Sequence, residues 1–363
     1  MKKRMLSQDI VKGLAILVVC QLHALQVTKF IFYPLVALFG FIMPVFIFLS
    51  GYNYHQKQLP PAVMIRNRVG RILKIYLIWC FAMFVIMGSY FYLHGSGTPL
   101  EILRSFGAHL LSESGCKMLG IIVPTAMFQH VLGPCWFIQY LISASVVFFL
   151  FVDYALRSFK HLFSTVSALI LTTFLFLQFR IYLPWGFHCA PALAALMIIA
   201  ARLAKDNQFF APTSRPVWTV VNTLISLIIV DAIQFRFPSG GILGAGLLGE
   251  FYGSIEVCFL VCFGVFGTYF LINLGKLIEK IPYISTGLIW LGRHSLEILL
   301  LHRPIAYLIR EAMGLPHFIS GNPLFIEKIT PENLIAFLLI FVFMIPMLIA
   351  FDKYKARKKA DAV

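Results

Sequence analysis

Eleven positions separate Lys12 from His23 within DIVKGLAILVVCQLHALQV, the stretch from Asp9 to Val27. At ~100° per residue a helix returns over that interval to within about 20° of its starting direction and rises about 16 Å. Asp9, Lys12 and His23 therefore share one helix face, with Lys12 near the end of an apolar run and His23 well inside it. Ionisable groups placed this way face a bundle interior or a water-filled cavity, because lipid does not solvate them. A neutral imidazole with an ordinary pKa of about 6.5 suits removal of a hydroxyl proton near neutral pH. The alternative is a structural histidine bonded to a neighbouring helix. The face it shares with Asp9 and Lys12 favours the catalytic reading, with those two groups setting the local field.

A second set lies in MIRNRVGRILKIY, where Arg68, Arg71 and Lys74 recur every third residue. Guanidinium forks match phosphate oxygens, so this ridge suits a polyanionic ligand. It equally suits an orientation signal or anionic lipid. FIFLSGYNY places Ser50, Gly51 and Tyr52 at the end of an apolar run, where a small residue admits a close backbone or ligand. GPCWFIQYL carries Trp136, which an interfacial aromatic belt also explains.

The last set is WLGRHSLEILLLHRPI, with Arg293, Glu297, His302 and Arg303. Arg293 and Glu297 stand four residues apart, and an ion pair within one helix would make their burial tolerable. Two roles stay open for Glu297: orienting a catalytic group on another helix, or fixing helix packing. Glu256 is a lone carboxylate in an apolar run. The seven cysteines show no paired metal-ligand spacing; Cys258 and Cys262 stand one turn apart, and Cys116 with Cys135 admits a disulfide that no spacing demands. The expectation is therefore no metal.

The elements that must position these groups are membrane helices. Of 363 residues 60% are hydrophobic and 12% charged, and the mean hydropathy is +0.86, values that exclude an ordinary soluble domain. Apolar runs long enough for a hydrocarbon core of ~30 Å recur near 8–28, 31–52, 72–94, 135–156, 162–180, 187–204, 217–236, 252–273, 284–309 and 333–352. The first run continues beyond a signal-peptide core and is read as a retained span. The expected fold is all-α: a polytopic helical bundle of about ten spans. With a cytoplasmic N-terminus, 21 basic residues fall on that side and 7 on the other, which predicts two cytoplasmic termini and a short basic tail over 353–363. A net charge of +15 is on this reading an orientation signal and not a nucleic-acid footprint, since no aromatic and basic interleaving accompanies it. Between the third and fourth spans, EILRSFGAHLL has helical apolar spacing and fits either a membrane-surface helix or a packed loop helix.

Taken together and in order, DIVKGLAILVVCQLH, VFIFLSGY, RVGRILKIY, CWFIQYL and LGRHSLEILLLHRP resemble the membrane acyltransferase-3 family over roughly residues 5–350. Lys12 and His23 match its basic residue, ten intervening residues and histidine; Arg68 and Arg71 match its pair of arginines. Lys12 stands where arginine is also common, Lys74 where many relatives carry proline, and Leu300 where tyrosine is frequent. The resemblance implies a single transmembrane acyltransferase domain over 1–363, without the soluble esterase-like domain of some relatives. It also implies O-acetyl transfer from acetyl-CoA, as co-substrate, to a hydroxyl of a carbohydrate or lipid-linked glycan of the cell envelope. The compartment it implies is the bacterial inner membrane. Arg68, Arg71 and Lys74, with Ser50 and Tyr52, are the expected donor site; His23, Asp9 and Lys12 the catalytic set; Trp136, Arg293, Glu297 and His302 the supporting or acceptor residues.

The competing class is a transporter of a sugar-linked or small-molecule substrate, because Asp9, His23, Glu256, Glu297 and His302 would suit proton-coupled carriage. Neither an inverted repeat nor a pair of broken helices supports it, and the arginine ridge has no evident use in a carrier. A scaffold or sensor leaves the ionisable face of the first helix unexplained.

Overall fold

The structure, a computed structural model, describes residues 6–25, 33–54, 59–119, 135–205, 216–236, 256–315 and 330–360. Among them are thirteen α-helices: α1 Leu6–Leu25, α2 Tyr33–Tyr52, α3 Pro61–Leu93, α4 Pro99–Leu111, α5 Glu113–Met118, α6 Cys135–Ala155, α7 Phe159–Gln178, α8 Ala190–Lys205, α9 Pro216–Arg236, α10 Glu256–Ile278, α11 Pro282–Arg293, α12 Ser295–Ala312 and α13 Pro331–Ala360. No strand occurs among the described residues. Among the described residues, five segments are long and apolar enough to cross a membrane: Pro61–Leu93, Cys135–Ala155, Phe159–Gln178, Pro184–Lys205 and Pro331–Arg357.

Side-chain volume sorts these helices into layers. Of the apolar windows, 72% of that reaching into α8 and 67% of α6 are buried, against 17% of α7 and 22% of α13. The alanines of α8 let neighbours approach closely: a Cβ on Gly51 of α2 would collide with the Met197 backbone, and one on Gly264 of α10 with the Leu196 side chain. The exposed Phe159, Phe163, Leu171, Leu338, Val342 and Phe343 give α7 and α13 the outer faces expected of helices bathed in lipid.

Directions follow from named contacts. Tyr54, just after α2, donates to Asp153 near the end of α6, while Phe46 of α2 meets Phe137 near its start, so α2 and α6 run parallel. Tyr76 of α3 meets Gln139 and Tyr54 meets Met64, so α3 runs opposite to both. In the same way Lys355 with Glu297, and Arg310 with Asn333, make α12 and α13 antiparallel.

Two sequence expectations change here. The stretch 284–309 is not one helix: α11 ends at Arg293, His294 has φ −100° and ψ 13°, and α12 starts at Ser295. The third span begins at Pro61 rather than near 72, which draws Arg68, Arg71 and Lys74 into the helix; Pro61 suits its first turn, where an amide proton has no helical acceptor. The segment EILRSFGAHLL is helical as expected. Thr98 caps α4 by accepting from the Glu101 amide, and Glu101 accepts from the Thr98 amide in return.

Candidate functional site

The start of α1 is held by a close helix crossing. A Cβ on Gly13 would meet the Leu288 carbonyl, and one on Gly292 the Asp9 carbonyl, so α1 and α11 touch backbone to backbone. That contact brings Arg293 to Asp9, with Nε 3.6 Å from Oδ2; the carboxylate is 2% exposed and the guanidinium 48%. Asp9 also sits in the first turn of α1, where the helix dipole favours a negative charge. Lys12 is half-buried one turn further on. His23 falls near the end of α1, and its side chain, like that of Glu256, lies outside the described residues.

The expected pairing of Arg293 with Glu297 does not form. The helix break at His294 removes the four-residue register that the pairing needs. Arg293 turns to Asp9 instead, and Glu297 accepts from Lys355 at 3.1 Å. His294, which sequence reasoning passed over, places Nε2 3.0 Å from Asp352 Oδ2. His302 is fully buried in α12, its Nδ1 2.9 Å from the Ile298 carbonyl.

The second and third spans meet through one side chain. Arg68 Nη2 donates to the Ser50 carbonyl at 3.1 Å and to its hydroxyl at 2.8 Å. Arg71 and Lys74 are exposed. Steps of three residues rotate each side chain by about 60° relative to the last, so Arg68 turns inward while Lys74, about 120° away, faces outward. The ridge is thus one anchored guanidinium and two free-standing cations. Gly51 serves a backbone neighbour, the α8 chain at Met197, and Tyr52 is buried and stacked on Phe48. Close by, the Tyr54 hydroxyl donates to Asp153 Oδ1 at 2.8 Å; burial first, then that carboxylate, raise its pKa above the usual phenol value.

Some 18 Å further along α3, twelve residues beyond Arg68, lies a cluster that no motif announced. Cys80 of α3, His109 of α4 and Cys135 of α6 each present a ligating atom, all within 4.8 Å of one another. Gln139 Nε2 donates to the Tyr76 hydroxyl at 2.7 Å and to the His109 carbonyl at 3.1 Å. Nearby, Trp185 sets its ring edge-on to Tyr76 and gives its indole proton to the Leu110 carbonyl and its amide to the Ser112 hydroxyl. Trp136 packs on Tyr140. Cys116 and Cys135 are both free thiols, so the disulfide between them is absent. Cys262 is exposed, and Cys258 lies outside the described side chains. The only hints in the sequence were polar residues, Tyr76 and Gln139, inside apolar runs, where such groups seldom stand without a partner.

An all-helical chain with several apolar crossing segments and ionisable groups turned into its packed interior is an integral membrane protein. The sequence profile of the acyltransferase-3 family, described as an acyltransferase domain, matches residues 6–352, and the chain belongs to that family. Its class is therefore that of a membrane acyltransferase. No curated protein and no solved structure matches the chain.

Proposed function

We propose that the protein moves an acetyl group from cytoplasmic acetyl-CoA to a hydroxyl of a cell-envelope carbohydrate or lipid-linked glycan, with His23 as general base. The observation that carries this reading is Arg68, fixed by two hydrogen bonds to Ser50, with the exposed Arg71 one turn on. A guanidinium already oriented by the protein loses little freedom on meeting phosphate, and a second one beside it adds a fork for a multiply charged donor.

On this reading the CoA phosphates rest on Arg68, Arg71 and Lys74, and the thioester arm enters the bundle toward α1. His23 accepts the acceptor's hydroxyl proton, and the oxygen adds to the thioester carbonyl. The tetrahedral intermediate then collapses with loss of the CoA thiolate, which takes the proton back from the imidazolium. The same imidazole acting as nucleophile gives an acyl-histidine route. Asp9, tied to Arg293, and Lys12 set the field at the mouth of that face. Trp136 and His302 belong on the acceptor side. The topology proposed with it is ten spans, both termini in the cytoplasm, and residence in a bacterial inner membrane.

The test is label transfer from radiolabelled acetyl-CoA to envelope extract in membranes containing the protein. Label in a saccharide or glycolipid fraction, dependent on expression of the chain, supports the reading. Transfer from another acyl donor, with none from acetyl-CoA, overturns the donor assignment.

A further inference from the structure

The cluster of Cys80, His109 and Cys135 has no part in the chemistry above, and three features set it apart from incidental burial. First, its donors come from three helices, α3, α4 and α6, and still converge within 4.8 Å. Ligands around one d10 cation at metal–sulfur lengths of about 2.3 Å stand about 4 Å apart, so closure needs side-chain movements of under about 1 Å. Second, the Cys80 thiol is in hydrogen-bond contact with both Cys135 and the His109 ring, and both thiols are buried and unoxidised.

Third, the surroundings resemble the outer shell of a metal site. Gln139 fixes the backbone of His109 and the hydroxyl of Tyr76, and Tyr76 in turn lies beside the Cys80 thiol. Metal-binding side chains are generally oriented by such partners. The buried Arg303 guanidinium lies near Cys135.

We infer that Cys80, His109 and Cys135 form a binding site for a thiophilic d10 cation, Cu(I) or Zn(II), between α3, α4 and α6. Binding displaces the two thiol protons to solvent, leaving two thiolates and a neutral imidazole on the metal. With Cu(I) the complex carries one negative charge, which Arg303 offsets; with Zn(II) the complex is neutral and Arg303 adds a positive charge to a buried region. Charge balance and the three-donor set both favour Cu(I), since soft thiolate ligands select it and zinc prefers a fourth ligand.

The experiment uses the full chain purified in detergent under reducing conditions, with buffered Cu(I) or Zn(II) added alone. Bound metal is measured after desalting, and thiols are mapped by alkylation and mass spectrometry. The expected result is one equivalent of metal, with Cys80 and Cys135 protected from alkylation and released by a chelator. Cys116, buried elsewhere, should label equally with and without metal. Cys80→Ser and His109→Ala should each weaken binding more than tenfold, read on protein whose thermal transition is retained. Because protection is mapped on the unmodified chain, misfolding of a variant does not remove the test. Zinc protection without copper protection overturns the preference for Cu(I). Absence of metal-dependent protection overturns the site, and so does loss of both thiols that is reversed by reductant alone, which is a disulfide. None of these outcomes bears on acetyl transfer.

Discussion

The two polar regions of the bundle are assembled in opposite ways. At the end that holds Ser50, Arg68, Asp9 and Arg293, the key contacts join residues from the motif stretches, Arg68 to Ser50 and Arg293 to Asp9. About 18 Å deeper along α3, Cys80, His109 and Cys135 converge from three separate helices without a shared spacing pattern. The first region keeps one side open, with Arg71 and Lys74 exposed, as a site for a soluble polyanion must. The second lies between three helices, with Cys80 and Cys135 buried and His109 half-buried, which suits a small ion held in place better than a substrate that must leave. On the proposed readings, openness separates a site of exchange from a site of retention.

The sharpest way to break this contrast is at the open end. Arg68→Ala with Arg71→Ala should raise the KM for acetyl-CoA about a hundredfold, at about 1.5 kcal/mol or more for each charged hydrogen bond lost. The acceptor KM should stay within twofold, and steady-state kinetics with each substrate varied separates the two. Arg71→Ala alone should raise the donor KM without moving the thermal transition. Arg68→Ala should lower the transition too, because it strips two bonds from Ser50.

Next in size is the crossing that positions Asp9. Gly292→Val pushes a side chain into the Asp9 carbonyl, and overpacking of this kind costs about 1–3 kcal/mol. Reduced thermal stability in detergent is the expected readout. Gly287→Val, with open space around its Cβ position, should leave it unchanged.

A smaller effect belongs to Tyr54. Removing its hydroxyl by Tyr54→Phe should cost about 1 kcal/mol. The phenol's pKa lies above its unfolded value of about 10, so this contribution is present in full below that pH and fades as pH rises past the folded value. Stability curves of wild type and Tyr54→Phe should therefore converge at high pH. The smallest expected change comes from α4: the amide and hydroxyl of Thr98 hold the exposed Glu101 carboxyl below the usual range. That gain exists above pH ~4.3 and is lost as pH falls through the carboxyl's folded value. Thr98→Ala should change activity less than twofold and reduce the acid sensitivity of α4 seen by hydrogen exchange, leaving the part carried by the backbone amide at position 98.

What the sequence disclosed follows the same division. The helix ends lie within a few residues of the hydropathy runs for α2, α6 and α9, because a span is specified by local composition. Ser50 and Arg68 stand in motifs that the family resemblance groups at one site, whereas their hydrogen bond follows from how α2 and α3 pack. The Arg293–Glu297 pairing failed for a local reason too: hydropathy runs on through His294, whereas the backbone turns there. Cys80, His109 and Cys135 could not be read at all. Their convergence depends on how α3, α4 and α6 pack, and no periodicity in a single helix encodes it. Lys355 falls in the basic tail expected over 353–363 and Asp352 just before it, yet they meet Glu297 and His294 because α13 continues as helix to Ala360.

The central claim is that His23 performs the transfer, and one comparison tests it most directly. Acetyl transfer from radiolabelled acetyl-CoA is measured in membranes holding equal amounts of wild-type and His23→Ala protein, each checked for a retained thermal transition. Label in the acceptor fraction with wild type and none above background with His23→Ala is the predicted result; equal incorporation by the two would contradict it.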